Sequence, residues 1–239
     1  VHDTQGAAFG VNGGYNVMIA YNTAYHVGAR AHVLEFVFGA HTCDGGSDPR
    51  CASNRTAGGW GSTSATSDDQ APRIPNRNVY VYDNVILNNG GFRSGSQQIQ
   101  VHPPFSGPQQ AAGNAPNPAR ADDNLRIRGN VIWNGPVSHP LGVGEDTGCA
   151  PSNPTCNPTQ LVADNAINTT EPQLINPAGG DFKPTPGGNI TSYTTFEIAS
   201  FDWNGLPSVV PAGSTANTVT TDRAGRPRTG TSVPGAYLP

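Results

Sequence analysis

The stretch Asn78–Asn89, NVYVYDNVILNN, decides the fold. Its first half alternates as a β-strand does, Asn84 then interrupts it, and the apolar pattern resumes. An asparagine costs free energy inside a sheet unless something satisfies its amide. The same arrangement returns elsewhere. NVMIAYNTAYH starts at Asn16 and NLRIRGNVIWN at Asn124, and with NVYVYDNVILN they fit N-[VL]-x-[IV]-x-x-N-x-[AI]-x-[NH]. A fainter copy, LVADNAIN, puts Asn165 in the register of Asn22, Asn84 and Asn130.

Each unit reads as a short strand, a bend marked by asparagine and a second short strand. If the units stack in parallel, equivalent residues sit about 4.8 Å apart. Asn22, Asn84, Asn130 and Asn165 then form a ladder in which each amide bonds the next. The alternative is a set of turn asparagines accepting a left-handed backbone, which also places asparagine at a corner.

A third strand accompanies each unit. AAFGVNGG precedes the first, and HVLEFVFG, QQIQVHPP and HPLGVGED follow Asn22, Asn84 and Asn130. Three short strands per turn predict an all-β, single-stranded right-handed parallel β-helix, a solenoid. A β-sandwich is the competing reading. It would favour hairpin turn signals and does not predict asparagine recurring in register.

The matched asparagines are 62, 46 and 35 positions apart, whereas a bare coil needs only about 20 to 25 residues. Every coil therefore carries an insertion, at about 39–73, 103–120 and 145–158, each leaving just after the third strand. Insertions at one register build a wall on one side, often the binding side. Coils occupy residues 1–170, and an irregular closing segment covers 171–239. The first coil is incomplete, so further coils are expected ahead of Val1, and an open coil edge calls for more chain or self-association to cover it.

Gly 30, Pro 22 and a charged fraction of 13% describe a turn-rich chain poor in helix formers. A net charge of −4, with Lys183 the only lysine, gives no basic footprint for nucleic acid. No apolar run reaches the roughly 18 residues of a membrane span. The cysteines pair locally as Cys43 with Cys51 (CDGGSDPRC) and Cys149 with Cys156 (CAPSNPTC). Neither spacing is the CxxC type that zinc prefers, and disulfides imply an oxidising compartment, hence a secreted or cell-surface protein. Sequons at Asn54, Asn168 and Asn189 agree with a glycoprotein. Asp44 and Asp48 are the calcium candidates, but they lack an EF-hand pattern, and no cofactor or metal is expected.

The repeats NVYVYDNVILNN and NLRIRGNVIWNG resemble coils of pectate-lyase-like right-handed parallel β-helix proteins. EPQLINPAGGDFKPTPGG and DRAGRPRTGTSVPGAY are similar to the D-x-x-G-x-x-R…GAY closing segment of secreted members, although Leu238 stands where those have an acidic residue. The resemblance implies the fold and an extracellular setting. It transfers no catalytic motif, since the superfamily includes lyases, hydrolases, esterases, epimerases, adhesins and structural proteins.

Strand parity nominates the site. Ile99, Val101, Leu34, Phe36 and Phe38 point inward, leaving Gln98, Gln100, His102 and Glu35 on the outer face of the third sheet, beside the wall. Such a trough suits an extended polysaccharide. A lyase needs a base and a cation to stabilise the enolate. His102 and His139 are the base candidates, Arg30 and Arg93 the carboxylate clamps, and Glu35 with Glu145 or Asp146 an acidic pair. Catalysis is assigned to His102, Glu35, Arg93 and His139, and substrate binding to Gln98, Gln100, Arg30, Glu145 and Asp146. His26 reads as a corner residue. The expectation is a secreted protein that binds and cleaves an extracellular polysaccharide, as a lyase or a glycoside hydrolase. The alternative is a non-catalytic structural or adhesive protein of a surface appendage or fibril.

Overall fold

The computed structural model describes residues 1–30, 32–40, 60, 71–94, 98–111, 115–135, 149, 156–193, 195–204, 218–228 and 233–239. Cys43, Asp44, Asp48, Cys51, Asn54, His139, Glu145, Asp146 and the HPLGVGED strand lie outside these residues.

Strands are numbered in chain order. The first repeat supplies β1 (His2–Thr4), β2 (Phe9–Asn12), β3 (Gly14–Ala20), β4 (Thr23–Val27) and β5 (Leu34–Val37), then the short β6 (Gly39–Ala40). The second supplies β7 (Arg73–Ile74), β8 (Asn76–Tyr82), β9 (Val85–Leu87) and β10 (Ile99–Val101). β11 (Arg126–Arg128) and β12 (Val131–Trp133) belong to the third, and β13 (Ala166–Ile167) to the fourth. A hairpin of β14 (Leu174–Asn176) and β15 (Asp181–Pro184) follows, and the helices are α1 (Pro108–Ala111) and α2 (Pro158–Asp164).

The chain is mostly β, its larger sheets are parallel, and none closes into a barrel. β1-β4-β9-β12-β13 form a five-stranded sheet, while β2-β5-β10 and β3-β8-β11 form sheets of three. Register follows the sequence repeat. Ala20 pairs with Tyr82 and Tyr82 with Arg128, and Thr23, Val85, Val131 and Ala166 lie side by side.

The asparagine ladder is present. Asn22 Nδ2 donates to Asn84 Oδ1 at 3.0 Å, Asn84 Nδ2 to Asn130 Oδ1 at 2.8 Å, and Asn130 Nδ2 to Asn165 Oδ1 at 2.8 Å. Each Oδ1 also accepts the backbone N–H of the asparagine one repeat earlier. Asn84, Asn130 and Asn165 spend their other Nδ2 hydrogen on Ile19, Val81 and Ile127, carbonyls one repeat back. Buried amides are thus satisfied by their own copies. The residue just before the first three is left-handed, at Tyr21, Asp83 and Gly129, so the turn reading and the ladder reading hold together.

Two further columns run beside the first. Asn124 Nδ2 donates to Asn78 Oδ1, and Asn78 Nδ2 to Asn16 Oδ1, both at 2.7 Å. Asn88 Nδ2 donates to Asn134 Oδ1, and Asn168 Oδ1 accepts the Asn134 N–H. Asn168, read as a glycan acceptor from its sequon, is 5% exposed in this column. Asn189 is half-buried, with its amide bonded to Gln173 N–H and Glu171 O.

Between the sheets, the inward side chains stack by type into one core that includes Val11, Leu34, Phe36, Ile86, Ile99, Val101, Ile127 and Ile132. Cys149 and Cys156 form a disulfide with Cα atoms 5.6 Å apart, both buried against this core. Two of the insertions have closed bases among the described residues. β6 and β7 pair antiparallel where the first leaves and returns, and Phe105 bridges Ala119 antiparallel at the base of the second.

Residues beyond 171 pack on the sheets from outside. Ile190, Leu174 and Tyr193 lie on Val85, Val131 and Ala166 of the five-stranded sheet. Ile198, Phe201 and Trp203 lie on Tyr80, Tyr82 and Met18 of the β3-β8-β11 sheet. The late arginines serve this closure, with Arg228 donating to Val233 O and Gly235 O and Arg226 pairing with Asp222. Asp83 receives the segment at the first corner column. Its carbonyl accepts the Gly235 N–H, and its Oδ1 accepts the Phe196 N–H at 2.9 Å. Gly129 has to be glycine, since a Cβ there would sit 2.0 Å from Asp83 Oδ1. Burial pushes the Asp83 carboxyl up to about 7, against the Phe196 N–H, the Tyr21 hydroxyl and the Arg228 guanidinium, which favour the charged form.

Two outcomes follow for stability. Asn130→Ala strands the Asn84 and Asn165 amides in the interior and should cost about 3 kcal/mol, whereas Asn22→Ala, at the half-buried end of the column, should cost about 1 kcal/mol; equal losses in urea unfolding would refute the column as the source. Asp83 has a folded pKa near 7 against about 3.9 unfolded, so between these values the folded chain holds a proton the unfolded chain has released. Stability from this group is therefore complete below about pH 4 and declines until about pH 7, by on the order of 4 kcal/mol. Unfolding midpoints of Asp83→Asn should lack this decline relative to the parent chain.

Candidate functional site

Two of the three outer sheet faces lie under the closing segment. The third, on β2-β5-β10, carries Gly10, Glu35 and Gln100 in one cross-strand row, followed by Asn12, Val37 and His102. Gly10 and Asn12 are exposed, and Glu35, Val37, Gln100 and His102 are half-buried. Among the described residues, the apolar contacts of the closing segment fall on the other two faces.

Parity held for most of this face. Leu34, Phe36, Ile99 and Val101 are buried, while Glu35, Gln100 and His102 reach outward. Gln98 is a correction, because it is completely buried. It precedes β10, where its carbonyl accepts both the Val33 and Leu34 N–H groups, so the turn into the strand breaks the alternation and takes the side chain inward. Phe38, expected inside, is half-buried at the rim.

That rim gathers the most chemistry. Phe38, Arg73, His102, Pro103, Pro104 and Phe105 line an open cavity of about 480 Å³ where the first two insertions leave the sheet. The His102 and Phe38 rings are 5.5 Å apart at 58°, and Phe38 and Phe105 are 6.3 Å apart at 59°. The Arg73 guanidinium lies 5.6 Å from the Phe105 centroid, a cation–π distance that holds the charge in place. Its backbone N–H donates to Gln110 Oε1, which ties the return of the first insertion to α1 in the second.

The arginines proposed as clamps are elsewhere. Arg30 and Arg93 are exposed and precede β5 and β10, whereas the His102 rim follows both strands. Arg93 instead packs beside Gly135. Arg73 is the cation that lines the rim, and nothing in strand parity pointed to it; the signal that could have found it, and Phe105, is that both stand close to insertion boundaries. His26 has a left-handed backbone as a corner residue does. Its ring stacks on Tyr25 at 3.7 Å and Phe92 at 4.7 Å, with Nε2 3.2 Å from Asn89 Oδ1.

Asp122, Cys149 and Cys156 are the one group among the described residues near enough to share a metal ion. Both sulfurs are spent in the disulfide and Asp122 is held by Arg120 at 2.8 Å, so the donor set does not suit a metal. No helix among the described residues is long and apolar enough to cross a membrane, and the disulfide is compatible with an extracellular protein.

Comparison with protein-family models, curated proteins and solved structures finds no match. The functional reading therefore rests on the face and its rim.

Proposed function

We propose that this is a secreted, pectate-lyase-like right-handed parallel β-helix protein that binds and cleaves an extracellular uronate-containing polysaccharide along the β2-β5-β10 face. The observation carrying this reading is that the β2-β5-β10 face, on which no apolar contact of the closing segment falls among the described residues, runs into a rim combining an imidazole, a guanidinium and two phenyl rings. Rows of half-exposed polar side chains one strand spacing apart suit a chain of sugar hydroxyls. Phenyl rings suit the apolar faces of pyranoses.

The chemistry assigned to the rim is elimination. Arg73 pairs with a uronate carboxylate and stabilises the negative charge that builds there. His102, as neutral imidazole, takes the proton from the carbon beside that carboxylate. The released electron pair forms a carbon–carbon double bond as the glycosidic oxygen departs, and solvent protonates that oxygen. Glu35 and Gln100 hold hydroxyls of neighbouring sugars.

Incubation with a panel of polyuronates should give the ultraviolet absorbance of an unsaturated product. His102→Ala should abolish the product with binding retained, and Arg73→Ala should weaken binding about ten-fold. Binding without product would move the protein to the non-catalytic adhesive reading, and failure to bind any polyuronate would remove the lyase reading.

A further inference from the structure

A second cleft lies on a different side of the molecule, where the closing segment lifts away from the five-stranded sheet. It is open, with a volume of about 850 Å³, and Leu87 and Asn89 form one wall while residues 169–174, Pro177, Thr185 and Asn189 form the other. The far wall is fixed by reciprocal bonds, since Gln173 Oε1 accepts the Asn189 N–H and Asn189 Oδ1 accepts the Gln173 N–H, both at 3.0 Å.

The lining chemistry is selective. Hydroxyls and amides dominate, and Glu171 is the one charged group among the described lining residues. Glu171 is exposed and makes no ion pair among the described residues. Without a lining cation, the cleft disfavours a carboxylate, sulfate or phosphate ligand. A carboxylate beside amides instead suits vicinal hydroxyls, each of which can donate to one oxygen and accept from an amide N–H.

An aromatic row adjoins the cleft on the sheet side. Tyr25 is in register with Leu87 on the neighbouring strand, and its ring lies 6.0 Å from Phe182 and 3.7 Å from His26, which in turn stacks on Phe92. Asn89 belongs to both parts. Its Oδ1 meets His26 Nε2, its Nδ2 makes no hydrogen bond among the described residues, and the residue lines the cleft. Tyr25 is buried and the His26 ring is stacked on both Tyr25 and Phe92, so the row backs the Asn89 wall and ligand contacts fall to the hydroxyls, the amides and Glu171.

We propose that this cleft is a second carbohydrate site, for a neutral oligosaccharide, with Glu171 and Asn89 as its hydroxyl-binding residues. It is separate in place and in ligand charge from the β2-β5-β10 face and does not depend on that face binding polyuronate.

The test is titration of the full chain with neutral oligosaccharides built from glucose, mannose or galactose, and in parallel with uronate oligosaccharides, by calorimetry and by amide chemical shifts. At least one neutral oligosaccharide should saturate, shifting the amides of Asn89 and residues 169–173. Glu171→Gln and Asn89→Ala should each weaken it about ten-fold, the Glu171 change with an unchanged unfolding midpoint, while His102→Ala leaves it untouched. Absence of neutral-sugar binding, binding that ignores both substitutions, or preference of this cleft for a uronate oligosaccharide or a peptide would overturn the proposal.

Discussion

A buried carboxamide with partners one strand spacing away on either side is the constraint on which the structure depends. Asn84 shows it in full: its oxygen takes two N–H groups from Asn22, and its nitrogen gives to Asn130 and to the Ile19 carbonyl. Such a side chain is satisfied only where copies of its own corner lie at about 4.8 Å. A slip of one residue would empty these bonds in several repeats at once, so the column fixes register along the stack.

Because the corners must align, any extra chain has to leave and return at a place that does not disturb them. The antiparallel β6–β7 pair and the Phe105–Ala119 bridge do this, closing two insertions beside the ends of β5 and β10. Side chains from positions 38, 73, 102 and 105 are brought together there as a result. The closing segment completes the arrangement: among the described residues its apolar contacts cover the outer faces of two sheets, while polar strand positions on the third stay half-exposed. Where the same segment stands off the five-stranded sheet, it makes the second cleft.

Asp83 marks a local conflict resolved by the whole structure. A carboxyl is a poor occupant of a buried corner, and burial raises its pKa accordingly. At the same position of the neighbouring repeats stand Tyr21 and Gly129. The glycine makes room for the carboxylate, and the Phe196 and Gly235 N–H groups dock on this residue, so the least comfortable corner is also where the closing segment is attached.

The sequence by itself determined the repeat, the column Asn22–Asn84–Asn130–Asn165, the inward residues Leu34, Phe36, Ile99 and Val101, and the pairing of Cys149 with Cys156. These are local or periodic properties: alternation follows from the two-residue pleat, and recurrence in register follows from hydrogen bonds between copies. Only the tertiary structure decided that Gln98 turns inward, that Asn168 is buried in a third column, that Arg73 rather than Arg30 or Arg93 stands with His102, and that a cleft opens beside Glu171. Those facts depend on where long insertions and the closing segment return to the stack. No spacing along the chain encodes such meetings, because they are set by packing between segments far apart in sequence.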